Sequence, residues 1–511
     1  MNVGAGSLAP TVRGGGRPLA GITVMCEGHD VPSRVASELL EHLGATVIAT
    51  RDGRDVSADC DVTIGVEGAG VPVARLLGDV PDEIAGLPLG TVPYACGLAT
   101  AAAAILALLS DADVEVDARE VAVVILLPAV VAAEYGTRHR EPAPPRRIGG
   151  GALACDLATA DDEATFARLL GVVGRDATAR AIADEAQAWR LPVCEYARRP
   201  GATAPGHDRP GRAGAPRRHS AAWPDPPTET MRRPPLEGLT VCDLTAMWAG
   251  PLSTWLLAGA GATIDKIESG VRLDGMRGLD GGGIHPEGID PTTGTASGMF
   301  NALNRQKSCH DLDLRDPADR AAFVDLVRAS DLVVDSFSRR VMPNFDLSPA
   351  ALRAEHPGII TLSLPAFPED HPWQVALGPG VHAATGLGDL GGGRVAAPVV
   401  AYPDPLAGLT AFAVATALAA GARRGVPTEH AEVTLFDVTA PLARIAPPDP
   451  ILRSRDPELG RRMLDDPALA AVWELVCDGA GRHRYPRQPF RGAWAPVPPT
   501  PAPAIGAGAT R

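Results

Sequence analysis

Short apolar runs rich in β-branched residues alternate with longer apolar stretches at helical spacing through the second half of the chain. Residues 239–244 form one such run. They are followed by the small residues Ala249, Gly250 and Pro251, and then by an apolar stretch over 252–258. Runs of these lengths predict a strand, a tight turn and a helix. A second run, 262–267, begins about twenty residues after the first and closes a βαβ unit. Apolar spacing at Ala322, Phe323, Leu326 and Val327 predicts a helix over 319–329, and 331–334 reads as a further buried strand. Strands alternating with helices predict an α/β fold, Rossmann-like and doubly wound, whose strand ends and helix N-termini suit a phosphate-bearing ligand. In such units the acid ending the second strand often meets a ribose hydroxyl, and here that acid is Glu268.

The first half carries a shortened version of the same pattern. PLAGITVMCEGHDVPSRVASELLEHLGATV, residues 18–47, aligns without a gap on residues 235–264 at a constant offset of 217, with the PLxGxTV start and the GAT end coinciding. CDVTIGVE (60–67) resembles SDLVVDSF (330–337), and GLATAAAAILALL (97–109) parallels GLTAFAVATALAA (408–420). Internal similarity of this kind predicts two related lobes. The expected division is a flexible N-terminus over 1–17, a degenerate lobe over 18–197, a Pro- and Arg-rich linker over 198–233, a second lobe over 234–500 and a tail over 501–511. The Ala-rich run 92–109 is interrupted by Pro93 and Gly97. A helix packed between lobes is expected there, because a membrane span requires ~20 strongly apolar residues.

Composition narrows the function. A chain of 511 residues with 45% hydrophobic and 21% charged residues suits a soluble enzyme of two or more domains. A net charge of −14, with no basic stripe interleaved with aromatics, argues against a nucleic-acid partner. Eight scattered cysteines show no CxxC pair and no zinc spacing, so no metal is expected, and they read as reduced thiols in the cytoplasm. The Gly-rich first seventeen residues lack the apolar core of a secretory signal. Only two lysines occur, Lys266 and Lys307, against an otherwise all-arginine positive charge. An ammonium acts as a compact point charge where a guanidinium acts as a planar fork, so both lysines are candidates for site chemistry.

The segments PLEGLTVCDLTAMWAGP, GATIDKIE, LNRQKSCHDLDL, DLVVDSFSRRVM and ALRAEHPGIITLSLPAF, in that order, resemble the family III CoA-transferases. That group includes carnitine and formyl-CoA transferases and the α-methylacyl-CoA racemases. The resemblance continues through YPDPLAGLTAFAVATALAA, AEVTLFDVTAPLARI and PRQPFRG, covering roughly residues 234–500. It implies an acyl-CoA thioester and a carboxylic acid as substrates, with no resident cofactor. It also implies a cytoplasmic protein that is a homodimer or, given the two lobes, an intrachain pseudo-dimer. For CoA binding it points to Arg305 and Lys307 in LNRQK and to Arg339 and Arg340 in FSRRVM, with the Ala249–Gly250 turn letting backbone approach the ligand. The alternative for the LNRQK cations is surface pairing with Asp311 or Asp313.

Family members use an aspartate that attacks the thioester carbonyl, giving a mixed anhydride and then an enzyme-bound CoA thioester. In HPWQVALGPGVHAATGL, the place of that aspartate is taken by Gly378. His382, whose ordinary pKa suits a general base, and Asp389, seven residues on, are the substitute candidates, with packing in a turn as the alternative for His382. The functional expectation is CoA transfer between an acyl-CoA and a carboxylic acid. A non-catalytic acyl-CoA-binding or scaffold protein, and an acyl-CoA racemase or isomerase, stand as alternatives. The GxGxxG at Gly386, Gly388 and Gly391 does not open a helix after a strand and is discounted as a dinucleotide fingerprint.

Overall fold

The computed structural model describes residues 10–13, 16–28, 30–50, 60–65, 71–77, 87–88, 90–136, 141–157, 160–174, 176–199, 232–271, 273–278, 297–445, 458–478 and 481–506. Most of the proposed linker, residues 200–231, lies outside them.

Two parallel sheets with helices on both faces form the framework. The C-terminal sheet runs in the order Ser308–Asp311, Thr263–Glu268, Thr240–Leu244, Leu332–Asp335, Ile360–Ser363, His430–Glu432, Thr11–Arg13. The N-terminal sheet runs Thr46–Thr50, Thr23–Glu27, Val62–Ile64, Val73–Leu77, Val114–Asp117, Phe490–Gly492. In each sheet only the last strand is antiparallel, and in each it comes from the opposite end of the chain. Residues 11–13 therefore form an edge strand rather than a flexible lead-in, and residues 490–492 complete the first lobe's sheet rather than the second's. The expected tail is also partly fixed, for Arg277 donates to the carbonyl of Pro503 (3.1 Å).

Corresponding positions carry the same geometry at the offset seen in the sequence. Thr23 faces Thr46 across one strand pair and Thr240 faces Thr263 across the other. Gly97 and Gly408 are packed alike. A Cβ on Gly97 would lie 2.7 Å from the Pro32 carbonyl and 2.6 Å from Val35 Cβ, and one on Gly408 would lie 2.8 Å from the Ala249 carbonyl and 3.1 Å from Leu252 Cβ. These glycines let the long helices Thr91–Ser110 and Pro403–Arg423 sit against Val31–His42 and Ala249–Gly259. The two long helices are apolar on every side, pack against each other and are 89% and 94% buried over their most apolar windows. Side chains of both halves merge there into one continuous core.

Two local expectations change. Ala249, Gly250 and Pro251 form the first turn of the helix Ala249–Gly259 rather than a loop before it. Residues 395–400, read as an extended run, form no strand beyond an isolated bridge between Asp389 and Val395. A smaller unit completes the first half: the antiparallel strands Arg146–Ile148, Gly151–Cys155 and Val193–Glu195, covered by helices Ala160–Val173 and Ala179–Ala188.

Candidate functional site

The strand order of the C-terminal sheet reverses between Thr240–Leu244 and Leu332–Asp335. In sheets of this kind the chains leaving the two strands at such a reversal diverge, and the crevice between them is the usual ligand position. Two loops form its rim, residues 245–248 and 336–340, and they are tied by the Ala246 N–H donating to Ser336 Oγ at 3.0 Å. The helix Ala249–Gly259 starts at this point, directly after the first of these loops. Gly250, however, is small for a reason within the fold, since a Cβ there would lie 2.2 Å from Thr245 Cβ.

The cations divide into two groups. Arg340 is exposed, and among the described residues it carries no ion pair. Arg339 is engaged with Glu432 (Nε to Oε2, 3.0 Å) and donates to the carbonyl of Phe367 (2.6 Å). Arg305 is buried between the rings of Trp255 and Tyr485, 5.0 Å from each centroid, and pairs with Glu474. Lys307 is also buried, and its ammonium donates to Asp243 (3.1 Å), the Pro251 carbonyl (3.1 Å), Thr254 (2.8 Å) and Asn304 (2.9 Å). Neither Arg305 nor Lys307 faces the crevice as a free phosphate ligand, and neither pairs with Asp311 or Asp313. Every donor of the Lys307 ammonium is already committed.

Both lysines belong to one buried charge network. Lys266 donates to Asp274 Oδ2 (3.1 Å) and to the Thr245 carbonyl (2.7 Å), while Asp274 Oδ1 accepts from the Met247 N–H (3.0 Å). Met247 has a φ of +70°, in the left-handed region that costs a non-glycine residue about 1–2 kcal/mol. The ion pair thus pins the strained corner of the crevice loop. Burial pushes the Asp243 carboxyl up, but the ammoniums of Lys307 and Lys266 outweigh it and hold its pKa at about 2. Burial in turn brings Lys307 down to about 8, against the pull of Asp243. Glu268, expected near a ribose, is buried against Arg277 instead (2.5 Å).

The proposed catalytic segment lies elsewhere, where the first half's smaller unit meets the helix Gly378–Ala384. His382 is fully buried. Its Nδ1 lies 2.7 Å from the Tyr402 hydroxyl and its Nε2 3.0 Å from the Ala396 carbonyl. Burial lowers its pKa to about 4, so the ring is neutral, donating from Nε2 and accepting at Nδ1. Neither nitrogen is left for a substrate proton. Asp389 accepts from the Arg199 N–H (3.2 Å) and the Gly391 N–H (2.9 Å) and shapes the glycine turn. The two candidates have separate partners and form no pair.

A carboxyl does occupy the space beside Gly378. A Cβ on Gly378 would fall 2.0 Å from Oδ2 of Asp404, and that oxygen is buried with no hydrogen-bond partner. Burial pushes the Asp404 pKa up to about 7, the Asp156 charge adds to the rise, and the backbone N–H groups of Asp404 and Gly378 oppose it. Asp156, at the end of strand Gly151–Cys155, accepts from the N–H groups of Gly380 (2.9 Å) and Leu377 (3.3 Å). Its pKa is likewise about 7, raised by burial against those two amides. Sequence reading missed both acids. Asp404 lay in view inside YPDPLAG, but nothing local marked Asp156.

A family model described as CoA-transferase family III matches residues 236–472. The succinyl-CoA:mesaconate CoA-transferase of Haloarcula hispanica is 36% identical over 26% of this chain and 32% of its own length. The acetyl-CoA:oxalate CoA-transferase of Acetobacter aceti is 30% identical over 42% of this chain and 54% of its own. A CAIB/BAIF family protein of known structure from Brucella suis is 27% identical over 41% of this chain and 55% of that one, with a TM-score of 0.36. The chain spans about a third to about half the length of the curated relatives it matches. Over residues 236–472, then, the chain is similar to the CoA-transferase family III proteins.

Proposed function

We propose that the protein transfers CoA between an acyl-CoA and a carboxylic acid, with Asp404 supplying the nucleophilic carboxylate that Gly378 lacks. The observation that carries this reading is the unpartnered Asp404 oxygen in the volume of a Gly378 side chain. An Asp404 carboxylate attacks the thioester carbonyl, the C–S bond breaks, and CoA leaves as a thiolate from a mixed anhydride. The thiolate then attacks the aspartyl carbonyl, releasing the first acid and leaving an aspartyl-CoA thioester. The acceptor carboxylate reverses both steps. For the phosphates of CoA, the exposed Arg340 and the N-terminus of helix Ala249–Gly259 are the available groups at the crevice.

In the same reading the two lobes form a pseudo-dimer within one chain. The reciprocal edge strands 11–13 and 490–492 support it, because each half already completes the other's sheet. Eight free thiols, seven of them buried, support a reducing cytoplasmic setting.

The test is incubation of the full chain with short acyl-CoAs, trapping with hydroxylamine and mapping by mass spectrometry. The expected result is an adduct on Asp404 that is absent in Asp404→Asn. CoA binding without any adduct overturns the catalytic reading in favour of an acyl-CoA-binding protein, whose supporting observation is the packed, side-chain-free Gly378. Native mass spectrometry gives the assembly: a monomer with one site supports the pseudo-dimer, and an obligate dimer overturns it.

A further inference from the structure

The segment from Trp373 to Ala383 is held along its length by side chains and backbone roughly two hundred residues earlier. Trp373 Nε1 donates to Asp184 (2.8 Å), and the N–H groups of Gln374 and Val375 donate to Gln187 Oε1 (3.0 and 2.9 Å). Gln187 Nε2 returns a bond to the Val375 carbonyl (2.7 Å), and the Ala197 N–H donates to the Ala383 carbonyl (3.0 Å). Each partner comes from the smaller unit over residues 141–199. The first half, whatever its own chemistry, builds the backbone on which Gly378 sits.

Most of these contacts are neutral and position backbone. Asp156 differs because it brings a second carboxyl to a place that already holds one. Its Oδ2 lies 3.0 Å from where a Cβ on Gly380 would be, just as Asp404 Oδ2 crowds Gly378, so two glycines in a three-residue turn keep the space between the acids free of side chains. We propose that Asp156, supplied by the N-terminal half, is a positioning residue for Asp404: it fixes the 377–380 turn through two amides and sets a second carboxyl beside the turn that Asp404 crowds. The proposal rests on the reading of Asp404 as nucleophile.

The surroundings favour sharing over independent ionisation. The titratable groups that feel the Asp156 charge are Cys155, Cys194 and Tyr196, with Arg180 acting on Cys194; His382 and Tyr402 pair with each other, and Arg199 Nε donates to the Ala443 carbonyl at 3.2 Å. His382 is neutral, and burial raises the Cys194 thiol and the Tyr196 hydroxyl well above neutrality. Two neighbouring carboxyls, one buried and one partly buried, with no cation between them do not both ionise readily, so one proton stays with the pair near neutral pH. The shared proton would gate the nucleophile, because Asp404 attacks only as the carboxylate.

Infrared titration of the full chain separates this from a purely structural cap. The protonated-carboxyl band is assigned by its loss in Asp404→Asn and followed against pH in wild type, Asp156→Asn and Asp156→Glu. Asp156→Asn keeps an acceptor for both amides and removes only the charge. The expected result is that the Asp404 midpoint falls by about one pH unit, and that the acidic limb of adduct formation falls with it. Asp156→Glu restores the charge and keeps the midpoint near that of wild type. An unchanged midpoint in Asp156→Asn overturns the proposal and leaves Asp156 a cap. A shifted midpoint in a chain that forms no adduct sustains the carboxyl pair while removing the transferase reading, so the two failures are distinguishable.

Discussion

In the N-terminal sheet the Thr23 N–H donates to Asp61 at 2.7 Å, and in the C-terminal sheet the Thr240 N–H donates to Asp331 at 2.9 Å. Strand register, this bracing aspartate and the glycine contact beneath the long helix all recur at corresponding positions. The chemistry inside does not. Where the C-terminal strands carry Asp243 and Lys266, the N-terminal strands carry Cys26 and Ala49, 217 positions earlier. The same architecture therefore closes with a thiol and a methyl in one half and with a buried ion network in the other. Burying charges carries a large desolvation penalty that hydrophobic residues of similar size avoid. The N-terminal half acts as a control built into the molecule: the fold does not require the charges, so their task is to hold the crevice loop through Thr245 and Met247.

The largest test of that comparison is Lys307→Met. It leaves Asp243 buried without its nearest cation and is expected to cost about 3–5 kcal/mol in urea unfolding. Combining it with Asp243→Cys copies the N-terminal half and should recover most of the loss; an equal or larger loss would make the network part of the fold. A second test is the pH dependence of stability, which the two kinds of acid push in opposite directions. Asp404, with a folded pKa of about 7 against an ordinary 3.8, keeps its proton while the unfolded chain releases it. Stability therefore falls as pH rises from about 4 to 7, by about 4 kcal/mol at the limit, and Asp404→Asn flattens that slope. Asp243, held at about 2, does the reverse: its contribution is present above about pH 4 and is lost as pH falls toward 2.

Smaller effects probe what the halves share. Gly97→Ala and Gly408→Ala each drive a methyl onto a backbone carbonyl. Each should cost roughly 1–2 kcal/mol net of the helix propensity alanine gains. Similar losses, read as denaturant midpoints, sharpen the correspondence, and a clear inequality breaks it. Asp61→Ala and Asp331→Ala each remove one strand-bracing bond at an exposed position and should cost about 1 kcal/mol or less.

Much of the fold was legible because it rests on short-range pattern. The strands Thr240–Leu244, Thr263–Glu268 and Leu332–Asp335 and the helix Pro317–Arg328 lie within a few residues of the expected bounds, since each buries an apolar run of recognisable period. The start of helix Ala249–Gly259 was misplaced because Ala-Gly-Pro reads as a turn, whereas proline also fits the first turn of a helix. The site was far less legible. Arg305, Lys307 and Glu268 stand in segments that suggest ligand contact, but their partners Glu474, Asp243 and Arg277 are set by packing. His382 lost its role to Tyr402 and Ala396 for the same reason.

The sequence by itself determined the α/β class, the alternation of strand and helix and the recurrence of one pattern at an offset of 217. Each is carried by residue identity and local spacing. Only the tertiary structure decided that residues 11–13 and 490–492 cross to the opposite sheets, that both lysines are buried, and that Asp156 and Asp404 converge on Gly378 and Gly380. Strand exchange, desolvation and charge pairing arise between residues up to hundreds of positions apart, and no local pattern records which of them will meet.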